Sequence, residues 1–423
     1  MVAHSVTSGN FRRFWFGQTL SQFGSRIGIL GLSVIAVDLL HASSRELGIL
    51  KASSTVCYLL IGLPAGAWVD RMLKRSTMML AAWVRCLAMF TIPVLWLTGD
   101  LHIGTLYMVA IVVGLASVFF DVAYQSYVPV LVPESDIASA NGRLEATSQL
   151  SAVGGPALAG LFMRAVSAPV VMLADACAYL GCLLCLAMTK DNERASASHS
   201  RANGRLMADI TEGLRFVRDQ PVIRRLAVSM GVSNFFAVMV ETLVPILVMR
   251  TIGFDAFMLG VIMMCGAVGG VLGALLAPVA RRHFSAGTVM AGGLMTAALF
   301  TATSPIAAMV SFHNKGLSGA LLLIGEFGLL VGAMLYNVTQ VSVRQTLCPR
   351  ELLGRMNAFI RFVIWGSIPF AALAAGWLGS TIGVVPTMWI GVLGTTLTVL
   401  PIFAIDRIIR ADAGRPAGAG AVR

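Results

Sequence analysis

The residues of this chain that could do chemistry are ionisable side chains inside long apolar segments. Arg26, Glu241 and Glu326 each interrupt such a segment, and Asp121 lies near the end of another. A charge within an apolar helix in a bilayer costs at least about 2.5 kcal/mol, so these positions invite a functional interpretation. A carboxyl group there can take up and release protons, and we expect Glu241 to be the main carrier, with Glu326 and Asp121 as alternatives and Arg26 as their cation. Structural ion pairs are the competing interpretation for all four, with a basic loop residue as the partner of Asp121.

Neutral polar residues recur at helical spacing in the same apolar segments, as the lining of a substrate path would require. Gln18, Gln22 and Arg26 are each four residues apart, which places them on one face of a helix. Asn234 and Glu241 are seven apart and share a face for the same reason. The other residues that we predict to line a cavity are Tyr124, Gln125, Asn337 and Gln340. Hydrogen bonds that only join helices are the alternative for each of them.

Sequence signatures of several kinds of active site are missing. The chain has no Walker-type phosphate loop, no zinc-ligand spacing and no Ser-His-Asp arrangement. Cys182 and Cys185 form a C-x-x-C pair, but it lies in an apolar segment without a second pair, so packing explains it better. We therefore expect no enzymatic activity, no metal and no cofactor.

Composition identifies the elements that must position these residues. Hydrophobic residues make up 57% of the 423 residues and charged residues only 12%, about half the charged share of a soluble domain. Stretches of about 20 apolar residues, long enough to cross a bilayer as helices, recur at 14–40, 46–69, 76–98, 101–126, 140–165, 168–189, 223–250, 257–280, 286–311, 317–341, 353–380 and 384–405. The prediction is an all-α membrane protein with twelve transmembrane helices in two pseudo-symmetric six-helix halves.

The distribution of basic residues predicts the orientation in the membrane. The net charge is +11, but the basic residues lie in short segments between apolar stretches, and they form no patch interleaved with aromatic residues. We therefore expect no nucleic-acid partner. Cytoplasmic loops carry the excess of Lys and Arg, which predicts an inner-membrane protein with both termini cytoplasmic. Only five of the 31 Lys and Arg then fall outside: Arg45, Lys51, Arg164, Arg250 and Lys315.

An internal repeat relates the two halves. Leu47-Gly48 in the first half recurs as Leu259-Gly260 in the second, and Ala159-Gly160 recurs as Ala375-Gly376. Such repeats are typical of transporters that bind substrate between their halves. The predicted boundaries are 1–189 for the first half, 190–222 for a cytoplasmic linker, 223–405 for the second half and 406–423 for a cytoplasmic tail. Within the linker, 206–217 has one apolar face and predicts an amphipathic helix on the membrane surface.

The segment between the second and third stretches contains the strongest motif, Gly66-Ala-Trp-Val-Asp70-Arg71-Met-Leu-Lys74-Arg75. It resembles the loop signature G-x-x-x-D-R-x-G-R-R of the major facilitator superfamily, with Lys74 as the equivalent basic residue, and departs from it only at Leu73. The resemblance implies that Asp70 docks near the start of the eleventh helix, as part of a conformational gate. Gly66, with Gly62 one turn earlier, predicts a close approach of helices. A basic loop that happens to contain one acid is the alternative.

Two further stretches resemble the efflux subfamily that includes macrolide and enterobactin exporters. One is the opening from Asn10 to Arg26, and the other runs from Phe119 to Asn141. The segment Gly155-Pro156-Ala-Leu-Ala-Gly160 partly matches the exporter pattern G-P-x-x-G-G. The resemblance implies a cavity lined by spans 1, 4, 7 and 10. The exporter pattern makes Gly155, Pro156 and Gly160 gate candidates, and Arg85 and Asp175 also match the subfamily, although the sequence does not indicate their partners. Glu145 and Arg361 are gate or packing candidates for a different reason: an offset of 216 residues in the internal repeat places them at equivalent positions of the two halves.

The sequence thus predicts a proton-coupled exporter of small amphipathic molecules that works by alternating access. A dedicated siderophore or metabolite exporter is the alternative within transport, and a membrane sensor or scaffold that transports nothing is the alternative outside it. The expected partners are a small-molecule substrate, protons and the lipid bilayer, and we expect the protein to be a monomer.

Overall fold

The computed structural model describes residues 9–190, 215, 218, 220–348 and 352–403, and almost all of them are helical. The predicted linker helix at 206–217, apart from Arg215, and the tail 406–423 lie outside the described residues. The helices are α1 (Gly9–Val34), α2 (Ser44–Asp70), α3 (Lys74–Thr98), α4 (Ile103–Leu131), α5 (Ile137–Ala165), α6 (Ala168–Met188), α7 (Pro221–Ile246), α8 (Ala256–His283), α9 (Ala286–Thr301), α10 (Thr303–Val310), α11 (Lys315–Leu347), α12 (Leu353–Thr381), α13 (Val384–Leu397) and α14 (Leu400–Phe403).

The lengths and hydropathy of these helices agree with a membrane protein. Ten helical segments in the described part of the chain are long and apolar enough to cross a bilayer. Helices α2 and α5, with 27 and 29 residues, are long enough but are not among these ten. The all-helical membrane fold is confirmed, and the count of twelve spans stays a prediction.

Large apolar side chains cover the outer surfaces of the helices. Leu97 is 77% exposed, and Leu275 and Leu299 are each 67% exposed. In water such surfaces would cost free energy, whereas lipid tails are as apolar as the side chains themselves. The apolar residues that do not pack inside the protein therefore serve as its lipid-facing surface.

The first compact unit comprises Met1–Gly204, Thr242–Met264 and Ala372–Val384. Within it α1 packs on α5 and α6, α3 packs on α4 and α6, and α2 packs on α4. Phe14 and Tyr127 are buried in its core, with ring centroids 5.4 Å apart in an edge-to-face arrangement. Aromatic pairs of this geometry add to the free energy gained by burial alone. This core fixes the relative positions of α1 and α4.

The second compact unit comprises Arg205–Glu241, Cys265–Ala371 and Val385–Arg423. Its strongest packing is between α9 and α11, where Gly293 and Gly332 allow the two backbones to meet: a Cβ on Gly293 would lie 2.7 Å from the Gly332 carbonyl oxygen. Met290, Tyr336 and Ile360 are buried beside this contact. The packing holds α11, which carries Glu326, in a fixed place within this unit.

The ends of α1 and α7 are built alike. Each helix continues into a five-residue π-helix, Ile35–Leu39 after α1 and Leu247–Thr251 after α7, at positions that correspond in the internal repeat. Each is followed by a residue with positive φ, 49° at His41 and 79° at Gly253. The N-H groups of Ala42 and Phe254 then donate to carbonyls six residues earlier. The backbone therefore repeats at the spacing seen in the sequence.

Candidate functional site

The polar stripe of α1 faces α5 within the first unit. The hydroxyl of Ser151 donates to Gln22 Oε1 at 3.4 Å, which joins the two helices. Arg26 is exposed, and its stem packs on Gly155, where a Cβ would lie 3.2 Å from Arg26 Cγ. Gln18 is 6% exposed, and its Oε1 has no hydrogen-bond partner among the described residues. The stripe thus combines a helix-joining contact with an exposed cation, and Gly155 makes room for that cation.

Asp121 on α4 is half-buried and accepts a hydrogen bond from the Tyr58 hydroxyl on α2 at 2.7 Å. Tyr124, one turn further along, stacks on Phe14 with centroids 5.9 Å apart. Gln125 is exposed. Sequence reasoning missed Tyr58, because it lies in an apolar run with nothing to mark it. This partner holds Asp121 at the junction of α2 and α4.

Two carboxyl groups of the second unit interact electrostatically. Glu241, in α7, is exposed, and Glu326, in α11, is half-buried against Gly266 of α8, where a Cβ would lie 2.5 Å from Glu326 Cγ. The charges of Glu241 and Glu326 are close enough to interact. Two carboxylates that share a site repel each other, and a proton held by either removes that repulsion. The pair could therefore carry a proton.

Asn234 and Gln340 are held by their own units. Asn234 Nδ2 donates to the Ile364 carbonyl and to Ser367 Oγ, both at 2.9 Å, which ties α7 to α12. Gln340 is 1% exposed and donates to Asn337 Oδ1 at 2.9 Å. Gln340 Oε1 has no hydrogen-bond partner in the described part of the chain. Asn337 is exposed. The contact of Asn234 favours the helix-joining interpretation for that residue.

The basic end of the loop motif binds the carboxyl end of α6. Arg75 Nε donates to the Leu186 carbonyl at 2.9 Å, and its terminal nitrogen donates to the Ala187 carbonyl at 2.7 Å. Arg13 donates to the Met188 carbonyl at 2.9 Å. The last carbonyls of a helix lack intrahelical donors, and cations near them are favourable. Residues of two separate sequence motifs thus converge on the end of one helix, which the sequence did not predict.

The other residues of the loop motif lie at the end of α2 and at the start of α3. A Cβ on Gly66 or Gly62 would meet no described atom within 4 Å, and a close approach of helices at these glycines stays a prediction. Asp70 ends α2, and its side chain lies outside the described part of the structure. Of the remaining predicted gate residues, Arg71 is exposed directly after α2, and Lys74 begins α3. Arg361 and Glu145 are also exposed. Glu145 accepts a hydrogen bond from Gln149 at 2.7 Å.

Two equivalent glycine contacts lie at the end of the first unit that the charge pattern assigns to the outside. In α2 a Cβ on Gly48 would lie 2.8 Å from Gly376 Cα in α12. In α5 a Cβ on Gly160 would lie 2.9 Å from Phe257 Cα in α8, and one on Gly260 would overlap the Pro156 carbonyl. Contacts between small residues let helix backbones pack closely. The predicted residues Pro156 and Gly160 therefore belong to a tight helix contact.

Charged side chains strengthen the same end. The guanidinium of Arg250 donates to the Ala42 carbonyl at 2.9 Å and to the Val37 carbonyl at 2.8 Å. Arg164 lies 3.6 Å from the Asp255 carboxylate and covers the Phe257 ring at 3.7 Å. The sequence placed both arginines outside but assigned them no partners. We call these contacts, with the two glycine pairs, the outer contact.

Comparison with known proteins gives one consistent answer. The family model of the Major Facilitator Superfamily matches residues 14–372. The multidrug efflux pump Tap of Mycolicibacterium fortuitum is 27% identical over 366 residues, 84% of this chain and 86% of that protein. The uncharacterized MFS-type transporter YfiS of Bacillus subtilis (strain 168) is 26% identical, covering 89% of this chain and 86% of that protein. A solved bacterial homologue of the iron transporter ferroportin, inward-facing, has a TM-score of 0.75 at 14% identity, covering 93% of this chain and 98% of that one; this likeness shows the fold alone.

Proposed function

The chain belongs to the major facilitator superfamily of membrane transporters, and from this premise we propose that it exports small amphipathic molecules in exchange for protons. It would act in the inner membrane as a monomer, with both termini in the cytoplasm. Export of drug-like compounds is favoured by the relatives named multidrug efflux pumps. The polar residues of α1, α4 and α11 supply hydrogen-bonding groups for a substrate, and abundant Met and Phe suit an adaptable apolar pocket.

The observation that carries proton coupling is the pair Glu241 and Glu326. Both carboxyls lie in apolar helices of one unit, and their charges interact. An ionised carboxylate at such a place is costly, and a second one nearby adds repulsion. Binding and release of one proton would therefore change the free energy of this site. Glu241 is the better candidate for exchange with bulk water because it is exposed, whereas Glu326 is packed against Gly266.

Alternating access requires that contacts at one side of the protein form and break. The outer contact supplies such a set, because it joins α2 to α12 and α5 to α8 through backbones that meet at glycines. A ligand or proton shifts such an equilibrium only as far as it prefers one state over the other. We therefore assign Pro156 and Gly160 to the gate, and Asp70, Arg71 and Lys74 to the opposite, cytoplasmic side of it.

Glu241→Gln tests the coupling. In proteoliposomes loaded with a pH indicator, the wild type should move protons when ethidium, a small amphipathic cation, is transported. Glu241→Gln should abolish efflux driven by a pH gradient, yet retain ethidium binding and downhill exchange, because the glutamine keeps the shape of the side chain but cannot bind a proton.

Glu134→Gln is the matched control, because Glu134 is an exposed acid in a short 3-10 helix between α4 and α5. It should transport as the wild type does. Wild-type efflux by Glu241→Gln under the gradient would refute the assignment to Glu241 and transfer it to Glu326 or Asp121. Ethidium transport with no proton movement in the wild type would refute proton coupling as a whole.

A further inference from the structure

Asp175 of α6 is a buried carboxyl group without hydrogen bonds. It has no exposed surface, and neither of its oxygens has a hydrogen-bond partner among the described residues. It faces α1 at Gly24 and Gly28: a Cβ on Gly24 would lie 2.8 Å from Asp175 Oδ1, and one on Gly28 would overlap Oδ2. The two glycines therefore make the space that the carboxyl occupies, but they offer it no donor.

The cation that interacts with Asp175 is held by aromatic rings instead. Arg85 of α3 is 5% exposed, and its Cζ lies 4.0 Å from the centroid of Phe120 and 5.0 Å from that of Tyr179. Its Nε and one terminal nitrogen have no hydrogen-bond partner in the described residues. The charges of Arg85 and Asp175 interact, but no hydrogen bond between the two is present.

This arrangement does not suit an ionised carboxylate. Buried charges are normally paired and hydrogen-bonded, because water no longer solvates them. The cation has partial compensation in two aromatic faces, whereas the carboxyl has only glycines. A protonated, neutral carboxyl fits the same place without an uncompensated charge.

We propose that Asp175 is a proton-binding site of this transporter, and that Arg85 is the cation which replaces the proton. With the proton on Asp175, the carboxyl is neutral and Arg85 stays between Phe120 and Tyr179, as in this structure. When the proton leaves to water, the carboxylate accepts N-H donors from Arg85. The proposal deepens the proton coupling proposed above: it adds a proton site in the first unit to the pair Glu241 and Glu326 in the second.

Few other groups near Asp175 could carry its charge. From α3 the groups are Arg85 and the thiol of Cys86, and from α6 the phenol of Tyr179. Helix α1 contributes glycines at the contact, and its Arg26 packs instead on α5. Arg85 also interacts electrostatically with Tyr58, the donor to Asp121.

The test is infrared difference spectroscopy of the purified full-length protein, between acid and alkaline buffer. A protonated carboxyl in apolar surroundings gives its own carbonyl-stretch band, which should disappear on raising the pH. Asp175→Asn should lack this band, and Asp100→Asn, at an exposed position after α3, should keep it. In proteoliposomes Asp175→Asn should lower pH-driven ethidium efflux by about tenfold, as expected for a typical coupling energy, with ethidium exchange preserved.

A second pair of variants tests the role of Arg85. Arg85→Gln removes the cation that replaces the proton, so the carbonyl band of Asp175 should persist to a higher pH in this variant than in the wild type, and Arg85→Gln with Asp175→Asn should lack the band. Persistence of the infrared band in Asp175→Asn, or loss of the band at the same pH in Arg85→Gln and in the wild type, would overturn the proposal. The infrared result does not depend on transport, so a wild type that moves no protons would refute the proposed function and leave the Asp175 band as its own test.

Discussion

The ends of α1 and α7 share a backbone and differ in what their side chains do. Both continue into π-helices at corresponding positions of the repeat, and both turn through a residue with positive φ. Asp38 of the first end corresponds to Arg250 of the second. Asp38 is exposed and has no polar partner in the described structure, whereas Arg250 donates to two carbonyls on either side of His41.

This difference shows how two halves with the same backbone can take different roles in one contact. A π-helix ends with carbonyls that are not used within it, and such turns are common at functional sites. The internal repeat makes two sets of these carbonyls, but only the second half carries a cation that can bind the opposite set. The end of α1 therefore accepts the hydrogen bonds and the end of α7 donates them. The outer contact thus depends on Arg250, which has no basic counterpart in the first half.

Removing the donor should have the largest effect. Arg250→Ala deletes two hydrogen bonds from a charged group, and a loss of about 2 kcal/mol is expected after allowing for its exposure. That energy shifts the population of the closed outer contact about thirtyfold. Labelling of a cysteine placed at Ser33 by an impermeant maleimide added from outside, read by peptide mass spectrometry, should rise accordingly.

Two variants control this experiment. Arg250→Lys keeps the charge but not the planar fork of donors, so its labelling should lie between the wild type and Arg250→Ala. Asp38→Ala changes the equivalent position of the first half and should label as the wild type does. Equal labelling in Arg250→Ala and the wild type would show that the two ends do not differ in function.

Substitutions at Gly253 and His41, the positive-φ residues of these two turns, should change stability by a smaller amount. Gly253 has φ of 79°, so Gly253→Ala places a Cβ in a strained conformation and should lower stability by about 1 kcal/mol. His41 already carries a side chain at φ of 49°, and His41→Gly should leave the apparent Tm nearly unchanged, because relief of strain and added chain entropy oppose each other. Equal Tm values for both variants in detergent would contradict this.

The fold was predictable because the sequence pattern that indicates a transmembrane helix lies within the helix itself. Each span is a run of apolar residues, and the internal repeat already paired Gly48 with Gly260 and Gly160 with Gly376 as equivalent positions. Their partners were not predictable, since the repeat states which residues correspond and not which ones touch. The same limit applies to the site: Tyr58 meets Asp121 across 63 residues, Arg75 meets Leu186 across 111, and Asn234 meets Ile364 across 130. Contacts between residues so far apart in the chain cannot be inferred from a single sequence.

The N-caps of α2 and α8, which follow the two turns, should show the smallest difference between the two halves. Ser43 Oγ accepts from the Glu46 N-H at the start of α2, and Asp255 Oδ1 accepts from the Met258 N-H at the equivalent start of α8. Only Asp255 adds an ion pair, with Arg164, and both side chains of that pair are 57% exposed. Exposed ion pairs contribute little, so Asp255→Asn, which keeps a capping oxygen, should lower stability by less than about 0.5 kcal/mol. Asp255→Ala also removes the cap and should cost about 1 kcal/mol. Thermal unfolding of both variants at low and high salt separates the two contributions: a large, salt-sensitive loss in Asp255→Asn would mean that the ion pair, and not the cap shared by both halves, holds this end of α8.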